Sequence, residues 1–206
     1  MITLTELKAF QNQRLRQTYA DFIVQPAYTA TCDFFFGMVY TAEDTRFRDD
    51  KFDHFYTSLK GIAGGSDIHR CLGTLVSLQR LTTALDDGVL SVLHQREASD
   101  PLTMEDYEEA YRLCDNYDQR EEQIEVLVVS VKTAHQIFRR FGIGLGLKAL
   151  HKFHQLRGDT TVSSFLLAGY RALTSLRKID PLAEAIEERE TRRLNRIFGL
   201  GGQFQG

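Results

Sequence analysis

A chain of 206 residues, 43% of them hydrophobic, can bury a substantial core, and no Pro-, Gly- or Ser-rich stretch divides it, so it reads as one domain. Its formal charge of −3, from 25 basic and 28 acidic residues, lacks the basic excess that draws a protein to nucleic acid or anionic lipid, and that balance disfavours both partners. The cysteines, Cys32, Cys71 and Cys114, are odd in number, widely spaced and without a CxxC, which argues against a disulfide framework or structural zinc and for a reducing compartment.

The opening MITLTELKAF places no basic region before an uninterrupted apolar segment, and nowhere do about 18 apolar residues run together. The expectation is a cytoplasmic protein that neither enters nor crosses a membrane. Thr3 with Glu6 has the spacing of a capping box and predicts a helix from about Leu4 to Phe22. Pro26 opens a second helix, with Tyr28, Cys32, Phe35 and Val39 on one side and Phe34 and Met38 beside them. A third helix carries Phe52, Phe55, Tyr56 and Leu59 inward and stops at Gly61 and Gly64-Gly65.

Ser66 caps the longest helix, whose stripe of Ile68, Cys71, Leu75, Leu78, Thr82, Leu85, Val89 and Val92 is widened by Leu72, Leu81 and Leu93. Such a helix accepts neighbours on more than one side. Pro101 ends it. Thr103 with Asp106 opens a short helix holding Tyr107, Ala110, Tyr111 and Cys114; Asp118 with Glu121 opens a long one with Ile124, Leu127, Val128, Val131, Ala134, Phe138 and Phe141 inward. Gly142, Gly144 and Gly146 mark a hinge before a helix from about Leu147 to Leu156, closed by Gly158. Thr160 or Thr161 caps the next helix, and Asp180-Pro181, as cap and first helical residue, starts the last one, which runs to about Phe198. The fold predicted is an all-α single-domain bundle of about eight or nine helices around two long central helices, 66–96 and 118–141. It covers residues 1–198, with a mobile tail from 199 to 206.

The stretch Cys32 to Asp50, CDFFFGMVYTAEDTRFRDD, resembles a family of uncharacterised all-helical bacterial proteins in which an F-F-x-x-x-x-Y-G-P-x-D segment precedes an Arg-Asp pair. Phe34-Phe35 or Phe35-Phe36, Tyr40, Asp44 and Arg48-Asp49 carry the likeness, with Thr41-Ala42 in place of Gly-Pro. The closing segment, Arg189-Glu190 before Leu194 and Phe198, is similar to that family's carboxyl terminus. The resemblance implies a helical domain of unknown function and supplies no activity.

Candidate sites therefore rest on residue chemistry. Phe34, Phe35, Phe36 and Tyr40 can either form core or line an apolar pocket, beside the charges of Arg48 and Asp49. His135 lies in the apolar stripe between Val131 and Phe138, and Glu190 in that between Ile186 and Leu194, so each needs a buried partner: a structural hydrogen bond is the first expectation for both, and for Glu190 the alternative is a pair with Arg48 or another cation near the phenylalanines. His151 and His154 share a helix face but have Lys148 and Lys152 nearby and no third ligand, so no metal is expected; no cofactor motif occurs either. The glycines of GIGLG follow a helix instead of a strand, which is the wrong setting for a phosphate loop. Two readings stay open: a non-catalytic protein working through a protein partner or homo-oligomer, and a binder or enzyme for a small apolar ligand in a Phe-lined cavity near residues 34–40.

Overall fold

The computed structural model describes residues 1–43, 45–63, 66–98 and 101–200, the side chains of 60–63 excepted. Among them every regular element is helical: α1 (Leu4–Thr18), α2 (Ala20–Ile23), α3 (Thr29–Phe34), a π-helical turn (Phe35–Val39), α4 (Arg46–Ala63), α5 (Asp67–Gln95), α6 (Met104–Leu113), α7 (Tyr117–Phe138), α8 (Ile143–Leu156), α9 (Thr161–Ser175) and α10 (Asp180–Ile197). Asp44, the Gly64-Gly65 stop and the residues from 201 onward lie outside the described residues.

Helix starts follow local chemistry where a side chain can reach an orphan amide. Thr3 N–H donates to Glu6 Oε2 at 2.7 Å and Glu6 N–H donates to Thr3 Oγ1 at 3.2 Å, a complete capping box. Ser66 accepts from His69 N–H at 3.2 Å and Thr103 from Asp106 N–H at 3.1 Å. The pattern misleads at Asp118, because α7 already starts at Tyr117 behind Asn116. Asp180 likewise lies inside α10, with Ile179 at the cap position and Pro181 in the first turn.

Several boundaries differ from the sequence expectation for identifiable reasons. The first helix breaks at Tyr19, giving α1 and the single turn α2, and the next begins at Thr29, not at Pro26. The end of α5 falls where the sequence places it, with Arg96 as cap just before the stretch 98–102: Glu97 takes a left-handed φ of 51°, Ala98 N–H donates to Leu93 O and Glu97 N–H to His94 O, a Schellman stop built without glycine. Helix α7 ends at Phe138, so Phe141 is fully exposed, not in the core. The hinge expected across Gly142–Gly146 is narrower: Gly142, at φ 85°, is the cap, and Gly144 and Gly146 are inside α8. At Gly144 the absent side chain leaves room for the Tyr170 ring of α9.

Helix α5, 29 residues and roughly 43 Å long, runs through the molecule against α7, α4 and α6. Helix α10 lies along α7, and α9 joins α3, α8 and α4. The core falls into three apolar clusters. One is centred on Phe35, Phe36, Val131, Ile137 and Ile186, the second on Leu7, Val89, Leu93, Tyr107 and Leu194, and the third on Phe52, Leu72, Val162 and Leu166. Cys71 and Cys32 are buried, as an inward place on their stripes requires, and burial pushes both thiols up. No helix among the described residues is long and apolar enough to cross a membrane.

Candidate functional site

The three clusters do not close on one another. Where they meet there is a cavity of about 240 Å³, bounded by α1, the π-turn, α4, α5, α7 and α10. Its apolar walls come from Leu15, Phe35, Phe36, Val39, Phe52, Leu75, Leu78, Leu127 and Ile186. This explains why Leu75, Leu78 and Thr82, all on the inner stripe of α5, are only half-buried while Leu85 and Val89 farther along are packed solid.

The π-turn shapes one wall. Tyr40 N–H donates to Phe35 O at 2.7 Å, the five-residue bond that closes the widened coil. Widening releases carbonyls, and distant side chains take them up: Asn12 Nδ2 donates to Phe36 O at 2.7 Å and also to Tyr40 O, and Arg48 Nη1 donates to Met38 O. Helices α1 and α4 thus fix the widened turn from two sides.

Polar groups gather at separate places on the cavity wall. Glu190 of α10 accepts two bonds from Arg14 Nη1, at 2.8 and 2.7 Å, and a third from the Tyr19 hydroxyl at 3.1 Å. Burial alone would lower the Arg14 pKa, but the Glu190 carboxylate outweighs it and holds the guanidinium above its ordinary value. Burial, reinforced by the same carboxylate, pushes the Tyr19 and Tyr40 phenols far up, so both keep their protons as donors. Asp86 of α5 is buried with one amide donor, Gln11 Nε2 at 2.9 Å, and burial raises its pKa. Arg120 of α7 is 3% exposed; it donates to Leu85 O at 3.1 Å, lies 4.1 Å over the Tyr111 ring and has no carboxylate within ion-pair distance among the described residues. Tyr111 itself is pushed up to about 12 by burial. At the α4 end, Asp49 accepts from Thr45 at 3.0 Å and from Arg48 Nε at 3.4 Å; burial raises the acid and lowers the base.

Of the residues the sequence singled out, Phe35, Phe36, Tyr40, Arg48, Asp49 and Glu190 line this one cavity. Phe34 does not: its ring points to α9, 3.0 Å from where a Gly169 side chain would begin and 5.1 Å from the Phe165 ring centre. His135 is also elsewhere, buried with Nε2 3.2 Å from Leu176 O, a structural hydrogen bond. The cation that meets Glu190 is Arg14, while Arg48 turns to Asp49 and Met38 O. His151 bonds Ser163 Oγ at 3.1 Å, and no group of three metal-binding side chains occurs among the described residues.

Sequence reasoning did not find Arg14, Asp86 or Arg120. The signal used for Glu190 was available for two of them: Asp86 lies between Thr82 and Val89 on the stripe of α5, and Arg120 leads the Ile124, Leu127, Val131 face of α7. Chemically the wall offers fixed donors and acceptors; burial pushes the Cys32 thiol up, and no histidine among the described residues lines the cavity.

No curated protein and no solved structure matches the chain significantly. The model of one family, a domain of unknown function (DUF8198), matches residues 2–201, nearly the whole length, and the chain belongs to that family.

Proposed function

We propose that the protein binds a small, mainly apolar molecule with one polar end in the cavity between α1, the π-turn, α5 and α7. The observation that carries this reading is the lining: aromatic and aliphatic walls around about 240 Å³, with a few pre-bonded polar groups set at separate places on it. That is the composition of small-molecule sites, and the volume exceeds the roughly 150 Å³ apolar cavity that accepts benzene. Of the two readings the sequence leaves open, a partner-dependent role and a Phe-lined ligand site, the cavity supports the second. A satisfied ion pair such as Arg14–Glu190 adds little net stability in a core, and at a cavity wall it gives a ligand's polar end a fixed orientation.

The test uses N-phenyl-1-naphthylamine, an apolar probe that fluoresces when it leaves water. The expected result is saturable enhancement at one probe per chain, lost in Leu78→Trp, where the indole fills the cavity. The natural chain has no tryptophan, so the new indole also reports the packing of the site. Absence of saturable binding, or equal binding by a cooperatively folded Leu78→Trp protein, overturns the assignment.

A further inference from the structure

Helix α8 uses only half of its surface inside the protein. Leu147 and Leu150 face the third apolar cluster, Ile143 the first, and the His154 ring meets Phe55 edge-on at 6.2 Å. Its outer face is apolar as well: Leu145 is 70% exposed, Leu156 82% and Phe153 50%, with exposed Ala149 on the same side and the fully exposed Phe141 just ahead of the helix. Single exposed apolar residues are ordinary; five on one helical face and its approach are not.

Along the chain, the segment that carries this face has charge of one sign. From Val126 to Gly158 the sequence has no Asp or Glu, whereas Lys132, Arg139, Arg140, Lys148, Lys152 and Arg157 are basic, in a chain whose formal charge is −3. Asp67 engages Arg140 at 2.7 Å, but Lys148, Lys152 and Arg157 are exposed and have no carboxylate within ion-pair distance among the described residues. The whole-chain balance that disfavours an anionic lipid partner averages over this segregation.

We infer that the outer face of α8 docks on an anionic membrane surface, lying in its plane with Phe141, Leu145, Phe153 and Leu156 among the acyl chains and Lys148, Lys152 and Arg157 at the headgroups. A lipid surface fits better than an acidic protein for two reasons. The apolar side chains project from a convex helix, and Lys148 and Lys152 flank them where long stems can reach headgroups while their bases stay in the apolar layer. Nothing in this requires a membrane span.

Vesicle flotation with phosphatidylcholine alone, and with added phosphatidylserine, tests the inference on the full chain. Binding is expected only with phosphatidylserine, falling as salt rises. Each basic side chain removed should weaken it about fivefold, the equivalent of about 1 kcal/mol. Lys148→Glu with Lys152→Glu, and separately Phe141→Ser with Leu156→Ser, should abolish flotation while leaving the melting transition unchanged, because all four side chains are exposed. No flotation with either vesicle, or equal flotation of native and substituted proteins, overturns it. So does a concentration-dependent dimer that Phe141→Ser with Leu156→Ser dissolves, which would make the face a contact between copies.

Discussion

Glu190→Gln changes one atom at the junction of α1, α2 and α10 and removes the charge that Arg14 was buried to meet. The native carboxylate takes both bonds from Arg14 Nη1 and one from Tyr19, and the two charged side chains are only 14% and 12% exposed. The amide keeps one acceptor, but it places an NH2 group against a donor and leaves the guanidinium without a counter-charge. Breaking a buried pair on one side costs about 3–5 kcal/mol; this pair borders a cavity, so about 2–4 kcal/mol is the appropriate range. For a chain of this size that lowers Tm by roughly 5–15 °C. The control is Glu188→Gln: Glu188 pairs with Arg192 one turn on, both largely exposed, a contact worth at most about 0.5 kcal/mol. Replacing Arg14 and Glu190 together by leucine should restore most of the loss, since the penalty arises from the orphaned charge. Thermal and urea unfolding measure all four proteins. Equal, negligible shifts for Glu190→Gln and Glu188→Gln would refute the reasoning and make the pair a solvated contact.

Asp86 gives a prediction of opposite sign. Its folded pKa is raised from 3.8 by burial, so its carboxylate form opposes folding at neutral pH, and the penalty is relieved as pH falls through the folded pKa. Asp86→Asn should therefore melt higher than the native protein at pH 7, and the gap should close as pH approaches about 4; a gap independent of pH would show that the carboxylate is not destabilised. On the same helix, Leu85→Ala should cost about 2–5 kcal/mol because Leu85 is 2% exposed, whereas Leu78→Ala, which only enlarges an existing cavity, should cost less than about 2 kcal/mol. Comparable urea midpoints for the two would contradict the placement of Leu78 on the cavity wall.

The helical architecture was legible because local signals set it. Thr3, Ser66 and Thr103 cap their own helices from within the next turn, and the stripes of α5 and α7 repeat over many turns. The errors fall where a distant partner or an unusual backbone decides. Tyr19 breaks the first helix, and the four-residue α2 beyond it is too short to leave a periodic trace. Phe141 continued the period of α7, but periodicity carries no information on where the backbone leaves the helix.

The cavity was half legible for a related reason. Glu190 stood out because a charge inside an apolar stripe demands a partner, and that argument needs only its own helix. Choosing the partner requires knowing which helix lies opposite. Arg14 is 176 residues away in the chain, and its own helix surrounds it with polar residues that hide it. The seven-residue stripe of α5 raised the opposite difficulty, since Leu75, Leu78 and Leu85 look identical in sequence. They separate only because the π-turn holds Phe35 and Tyr40 in a wide coil across from Leu75 and Leu78, whereas farther along α6 closes on α5. The widened coil in turn depends on Asn12 and Arg48, which take up the carbonyls it frees. Three side chains from α1 and α4, Arg14, Asn12 and Arg48, thus hold open a space that the apolar pattern alone would have filled.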